Sequence, residues 1–181
     1  EESIRQTWNY PRRTHESEKL QTTKRKSSQN APQTITTDSF DNRGNALHQT
    51  ILSEGCIEGS FVFSGAQDIT TLGSEINRFD QAAHSITKNY SAAVSLNGVV
   101  SVDSTKFLTL DDTNFTSYDP FGNVLTSNTK TYTTEDRSVL KDYKESVNTY
   151  LNPALGTIKD STVSRWTDST KDNSKWIDKT V

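Results

Sequence analysis

Three aromatic–aspartate pairs, Phe40-Asp41, Phe79-Asp80 and Tyr118-Asp119, stand 39 residues apart along the chain. A fixed period of this length marks a repeated supersecondary unit, each copy too small to bury its apolar face without its neighbours. The register extends beyond the pairs. Leu47, Ile86 and Leu125 each follow the aromatic residue by seven positions, and Gly59, Phe61, Phe63 and Ile69 match Gly98, Val100, Val102 and Leu108. The stretches 59–65 and 98–104 have strand character, with Phe61/Phe63 and Val100/Val102 on one face. Each is followed by a second short strand, at 68–72 and 106–110. A hairpin-like unit repeated two or three times is the expectation for residues 34–133.

Composition favours a thin structure. Only 37 of the 181 residues are Leu, Ile, Val or Phe, whereas 48 are Ser or Thr. An apolar share this low lies at the threshold of disorder, but a net charge of only -3 lacks the self-repulsion of a disordered chain. A sheet that buries one face and solvates the other with hydroxyls reconciles the two.

The turns between the strands carry a further pattern. Phe40-Asp41-Asn42-Arg43-Gly44-Asn45-Ala46-Leu47 and Tyr118-Asp119-Pro120-Phe121-Gly122-Asn123-Val124-Leu125 each place glycine where a positive φ costs little, then begin an apolar–polar alternation. These octamers resemble the core of the YD repeats of rearrangement-hotspot and toxin-complex proteins, which build large β shells. The resemblance covers 16 of 181 residues. Phe40 stands where the family has Tyr, the aromatic residue two positions earlier is missing, and the spacing exceeds the family's. The alternation of short strands with Gly, Asn and Asp turns is equally similar to phage fibres and bacterial adhesins.

The two ends of the chain read differently. Residues 1–33 are expected to form an extended or disordered basic arm, net +3 against -6 for the remainder. Lys24, Arg25 and Lys26 make a short basic run able to touch phosphates, so a nucleic-acid contact through the arm is one reading and a grip on a neighbouring subunit another. The chain begins Glu1-Glu2-Ser3 without a methionine or leader, the pattern of a piece processed from something longer.

At the other end, 134–181 reads as a two-helix assembly segment. Thr133 or Thr134 caps a helix whose first turn carries Glu135 and Asp136, and Val139, Leu140, Tyr143, Val147, Tyr150 and Leu151 follow as a helical stripe. Asn152-Pro153 then starts a second helix over roughly 154–179, with the half-polar seam Leu155, Ile158, Thr162, Trp166, Ser169, Asn173, Ile177 and Thr180. Polar seam residues suit self-association, with Trp166, Trp176 and Ile177 as the contacts to a partner. The fold class expected is therefore α+β: an extended arm, a small β-rich repeat region and two C-terminal helices.

Catalytic chemistry has little local support. The lone Cys56 lies between Glu54 and Glu58, which oppose thiolate formation. His15, His48 and His84 form no metal-ligand or nucleophile–base motif, although His48 and His84 would converge with Asp41 and Asp80 if the units stacked. No catalytic residue and no cofactor are assigned. Asp103, Asp111, Asp112 and Asn114 offer oxygen ligands that calcium accepts. No apolar run is long enough to span a bilayer. These features point to a non-enzymatic structural or interaction subunit, oligomeric and β-rich, in an extracellular or virion-type assembly such as a phage tail or adhesin. Its partners are copies of itself or other subunits; a YD-type shell fragment of a secreted toxin and a secreted hydrolase or effector are the alternatives.

Overall fold

A computed structural model describes residues 21–25, 33–57, 60–96 and 99–181. The strands are β1 (Gln21–Arg25), β2 (Gln33–Phe40), β3 (Ala46–Ile57), β4 (Ser60–Thr70), β5 (His84–Tyr90), β6 (Ala93–Leu96), β7 (Val99–Val102), β8 (Phe107–Tyr118), β9 (Val124–Tyr132), β10 (Leu140–Asn152), β11 (Thr157–Trp166) and β12 (Trp176–Thr180). Ten of them form one antiparallel sheet in the order β1-β2-β3-β4-β5-β8-β9-β10-β11-β12. Each strand lies beside its predecessor in the chain, apart from the β6–β7 hairpin, which interrupts the series between β5 and β8. The sheet is a meander with β1 and β12 at its edges.

This architecture corrects the α+β expectation. Among the described residues helix is confined to four 3-10 turns of three residues each, so there are no C-terminal helices. The stripe from Leu140 to Leu151 lies on β10, a strand of 13 residues, and Val139 immediately precedes it. Its spacing fits a helix, but Tyr143, Val147, Thr149 and Tyr150 lie within it, and such residues lose side-chain freedom on a helix and pack well on a pleated surface. Thr134 does cap backbone N–H groups, accepting from Ser138 and Val139 at 3.2 Å, and the structure so closed is a hairpin turn rather than a helix. Asn152 caps as expected, its Oδ1 accepting from the Leu155 N–H at 3.3 Å. The helix it begins stops after the single turn Pro153–Leu155, because Gly156 adopts the left-handed conformation at φ 64° and turns the chain into β11.

The core is a row of side chains on one face of the sheet. Ala66 pairs across strands with Tyr90, Leu110 with Tyr132, and Tyr143 with Trp166. Ala66, Tyr90, Leu110, Tyr143 and Trp166 are the buried apolar residues among those described. Tyr90 meets the edge of Phe107, and Trp166 packs between Tyr143 and Trp176 with ring centroids at 6.1 and 5.2 Å. Aromatic pairs of this kind add about 0.5–1.5 kcal/mol each beyond their buried area. Two connections fold back over the same face. Glu135 reaches Lys88 at 2.8 Å, Arg137 reaches Asp112 at 3.0 Å, and Lys171 reaches Glu145 at 2.5 Å.

The opposite face is a polar ladder. Gln67 donates to Asn89, Asn89 to Asp111, Thr131 to Asp111 and Lys144 to Thr131, at 2.6 to 3.0 Å, so the bonds cross five consecutive strands. Arg165 continues it by binding both Asp142, at 3.0 Å, and Asp178, at 3.2 Å. Cross-strand pairing of hydroxyls, amides and opposite charges stabilises a sheet without apolar area, which accounts for a chain this rich in Ser, Thr and Asn.

Candidate interaction surface

The turns at one end of the sheet form a linked row. In the first, the Asp41 carboxylate accepts from the backbone N–H groups of Arg43 and Asn45 at 2.9 and 2.8 Å and from the Asn45 side-chain amide at 2.9 Å. Gly44 sits at φ 96°. In the third, Asp119 accepts from Phe121, Asn123 and the Asn123 amide at 2.9, 2.9 and 2.7 Å, with Gly122 at φ 87°. The two octamers therefore build one and the same turn. The carboxylate organises two donors from the backbone and one from a side chain, and glycine supplies the left-handed residue three positions on.

Between them lies a turn of the same shape in another register. Asn77 takes the carboxylate's place, accepting from the N–H groups of Phe79 and Gln81 at 2.8 and 3.1 Å. Asp80, at φ 61°, takes the glycine's. The Phe79-Asp80 pair thus does not correspond to Phe40-Asp41 and Tyr118-Asp119, and the 39-residue register does not carry through the middle unit. The strands differ likewise: 68–70 continues β4, and Val99–Val102 belongs to the separate hairpin. Asp aligns with Asp by sequence, but the turn is defined by an acceptor followed three residues later by a residue tolerating positive φ.

Each turn is fastened to the next. Arg43 donates to the carbonyls of Asn77 and Ile76 at 2.5 and 3.1 Å and pairs with Asp80 at 3.2 Å. The Tyr118 hydroxyl donates to the Ala82 carbonyl. Asn123 donates to the Pro153 carbonyl at 2.7 Å. Phe79, Tyr118, Pro120 and Phe121 line an open cleft of about 740 Å³ between the second and third turns, and Phe79 and Phe121 are both 65% exposed.

Electrostatics follow from these bonds. Partial burial works against ionisation of Asp41, but the donors from Asn45 and Arg43 outweigh it and hold its carboxyl down at about 2. Asp119 is lowered by the same kinds of contact, again against desolvation.

The residues singled out by sequence are dispersed. Trp166 is buried in the core, whereas Trp176 and Ile177 stand 45% and 40% exposed on edge strand β12. Lys24 and Arg25 belong to β1, the opposite edge, so part of the expected arm is a paired strand. Lys26, His15 and residues 1–20 lie outside the described residues, as does the side chain of Cys56. His48 on β3 and His84 on β5 are separated by β4 and offset along it, since His48 lies in line with Thr70 and Ile86 rather than with His84. Each imidazole is held by its own acids: His48 between Asp38 and Asp68, His84 between Glu75 and Asp112. Asp41 and Asp80 join Asn45 and Arg43 instead.

The acidic cluster is divided as well. Asp111 faces the polar ladder, Asp112 faces His84, and Asp103 closes its own turn on Thr105. Adjacent residues of a strand point to opposite faces, so Asp111 and Asp112 cannot share an ion. Among the described residues no three His, Cys, Asp or Glu side chains are grouped to hold a metal, and no helix is long and apolar enough to cross a membrane. No family model, curated protein or solved structure matches the chain.

Proposed function

We propose that the chain is a non-enzymatic structural element, a strip of single-layer β-sheet whose burial is completed by other parts of an extracellular or virion-type assembly. The observation that carries this reading is the open meander itself. Ten strands bury only five apolar side chains among the described residues, and the edges β1 and β12 each have one neighbour. A sheet covered on one face only by two connections between its own strands is short of a full second layer, and stable domains cover an apolar face with one. Leu151, Leu155 and Ile158, 71%, 77% and 53% exposed, are further apolar side chains left open at and beside the turn Pro153–Leu155.

A YD-type shell is the second reading, favoured by the identical turns at Asp41 and Asp119. Consecutive hairpins joined side by side with their turns fastened in a row form a strip that can be lengthened without changing its pattern. Purification of the particle or parent molecule from its source, followed by native mass spectrometry and imaging, tests both readings. Recovery in a stoichiometric assembly supports the structural role, and covalent continuity with many further Asp-x-x-Gly-Asn turns selects the shell. Recovery as a free, compact monomer overturns the proposal.

A further inference from the structure

The strand pair at the β1 edge is held to the sheet by a titratable contact. Between Thr37, opposite Gln49, and Ser39, opposite His48, the pairing of β2 with β3 slips by one residue, and Asp38 is the extra residue. A bulge of this kind re-aims the side chain at the insertion. The Asp38 carboxylate meets Nδ1 of His48 at 2.6 Å, and on the other side Nε2 meets Asp68 of β4 at 3.1 Å. Three strands are therefore bridged through one imidazole.

A neutral imidazole has a single N–H, so it can satisfy one of these carboxylates while presenting a lone pair to the other; only the imidazolium donates to both. The next charges outward repeat the alternation. Asp68 lies opposite Lys88 on β5, and Lys88 pairs with Glu135 at 2.8 Å. The row runs acid, imidazole, acid, lysine, acid, and in it the imidazole is the member whose charge changes near neutral pH.

We propose that Asp38, His48 and Asp68 form a pH-sensitive latch, which fastens β2, and β1 beyond it, to the remainder of the sheet in acid and releases its hold as the pH rises. Partial burial disfavours the imidazolium, but the hydrogen bonds and charges of Asp38 and Asp68 prevail and raise the pKa of His48 above its ordinary 6.5. The sign follows from linkage. The folded-state pKa is raised, so the stabilisation is fully present below about 6.5 and is lost as the pH climbs through the folded value. His48 is 31% exposed and Asp38 47%, so solvent moderates the effect. The consequence is local because Asp38 lies beyond the β3–β4 pair, which is joined to the sheet by its own ladder.

Hydrogen exchange of the full chain, corrected for intrinsic rates, and NMR titration of the imidazoles test the latch between pH 5.5 and 8.5. Protection of β2 amides is expected to fall with rising pH, by up to about tenfold for each unit by which the acids raise the His48 pKa, while β10 and β11 stay level. In His48→Gln the pH dependence disappears, and in Asp38→Asn, which leaves the imidazole in place, the His48 titration moves to lower pH. A flat β2 profile in the natural chain overturns the latch. So does a His48 titration at or below its ordinary value, or one that Asp38→Asn leaves unmoved.

Discussion

The side-chain amide of Asn123 lies 2.7 Å from the Asp119 carboxylate and 2.7 Å from the Pro153 carbonyl, so one residue both closes its own turn and fastens that turn to the next. Asn45 acts alike at the other side of the row, donating to Asp41 and Asp80 at 2.9 Å each. Replacing Asn123 with Ala removes two bonds, one to a charged acceptor, and is expected to cost about 1–3 kcal/mol, read as a lower urea midpoint with unchanged slope. An unchanged midpoint would show that the row of turns is not fastened through this residue.

Glycine is required at one of these turns by backbone conformation alone. A Cβ on Gly122 meets no atom within 4 Å, yet its φ is 87°. Gly122→Ala is expected to destabilise by about 1–2 kcal/mol through the left-handed conformation. In Gly65→Ala, with the nearest atom at 3.9 Å and no positive φ, a smaller loss is expected. Equal shifts in melting temperature for the two variants would contradict the assignment.

Acid should act through Asp41. Its folded-state pKa of about 2 lies below the ordinary 3.8, so its contribution is present above about pH 4 and drains away as the pH falls towards 2. Asp41→Asn keeps the oxygen that accepts from the Arg43 and Asn45 N–H groups, gives up the one that accepts from the Asn45 amide, and removes the titration. Melting temperatures measured from pH 5 to pH 2 should fall less steeply for this variant than for the natural chain; parallel curves would count against the turn as an acid-sensitive element.

The two tryptophans at the β11–β12 hairpin separate burial from exposure. Trp166 is 8% exposed and touches both Tyr143 and Trp176, and Trp166→Ala is expected to cost about 3–5 kcal/mol. Trp176 lies on the edge at 45% exposure, and Trp176→Ala should cost clearly less. Denaturation followed by fluorescence of the remaining tryptophans distinguishes them, and equal losses would place the core elsewhere.

Some of the strand content was legible because it is local, although the two strands expected at 59–65 and 68–72 are the single strand β4 and the segment expected to be helical is β10, β11 and β12. Strand-forming stretches, the capping residues Thr134 and Asn152, and the glycine turns at 44 and 122 follow from side-chain chemistry acting over a few residues. The turn at 77–81 was not legible as a repeat, since Asn77 and Asp80 exchange the types found at Asp41 and Gly44 while preserving the shape. The histidine clamps were hidden for another reason. Asp38 and Asp68 are 10 and 20 residues from His48, and what joins them is strand pairing with a bulge.

The C-terminal third marks the boundary most clearly. Val139, Leu140, Tyr143, Val147, Tyr150 and Leu151 satisfy a helical spacing, and a short amphipathic segment alone does not choose between helix and strand. The choice falls to neighbours: β9 and β11 supply backbone partners on both sides of β10, and Trp166 supplies a cross-strand contact for Tyr143. By itself the sequence determined that the core would be thin, that hydroxyls and amides would line a solvated sheet, and that Asp and Gly would turn the chain at 41–45 and 119–123. The tertiary structure decided that the sheet extends to Thr180 in one layer and that the turns lock into a row, because pairing of each strand with its neighbours in the sheet satisfies backbone groups that local preferences leave open.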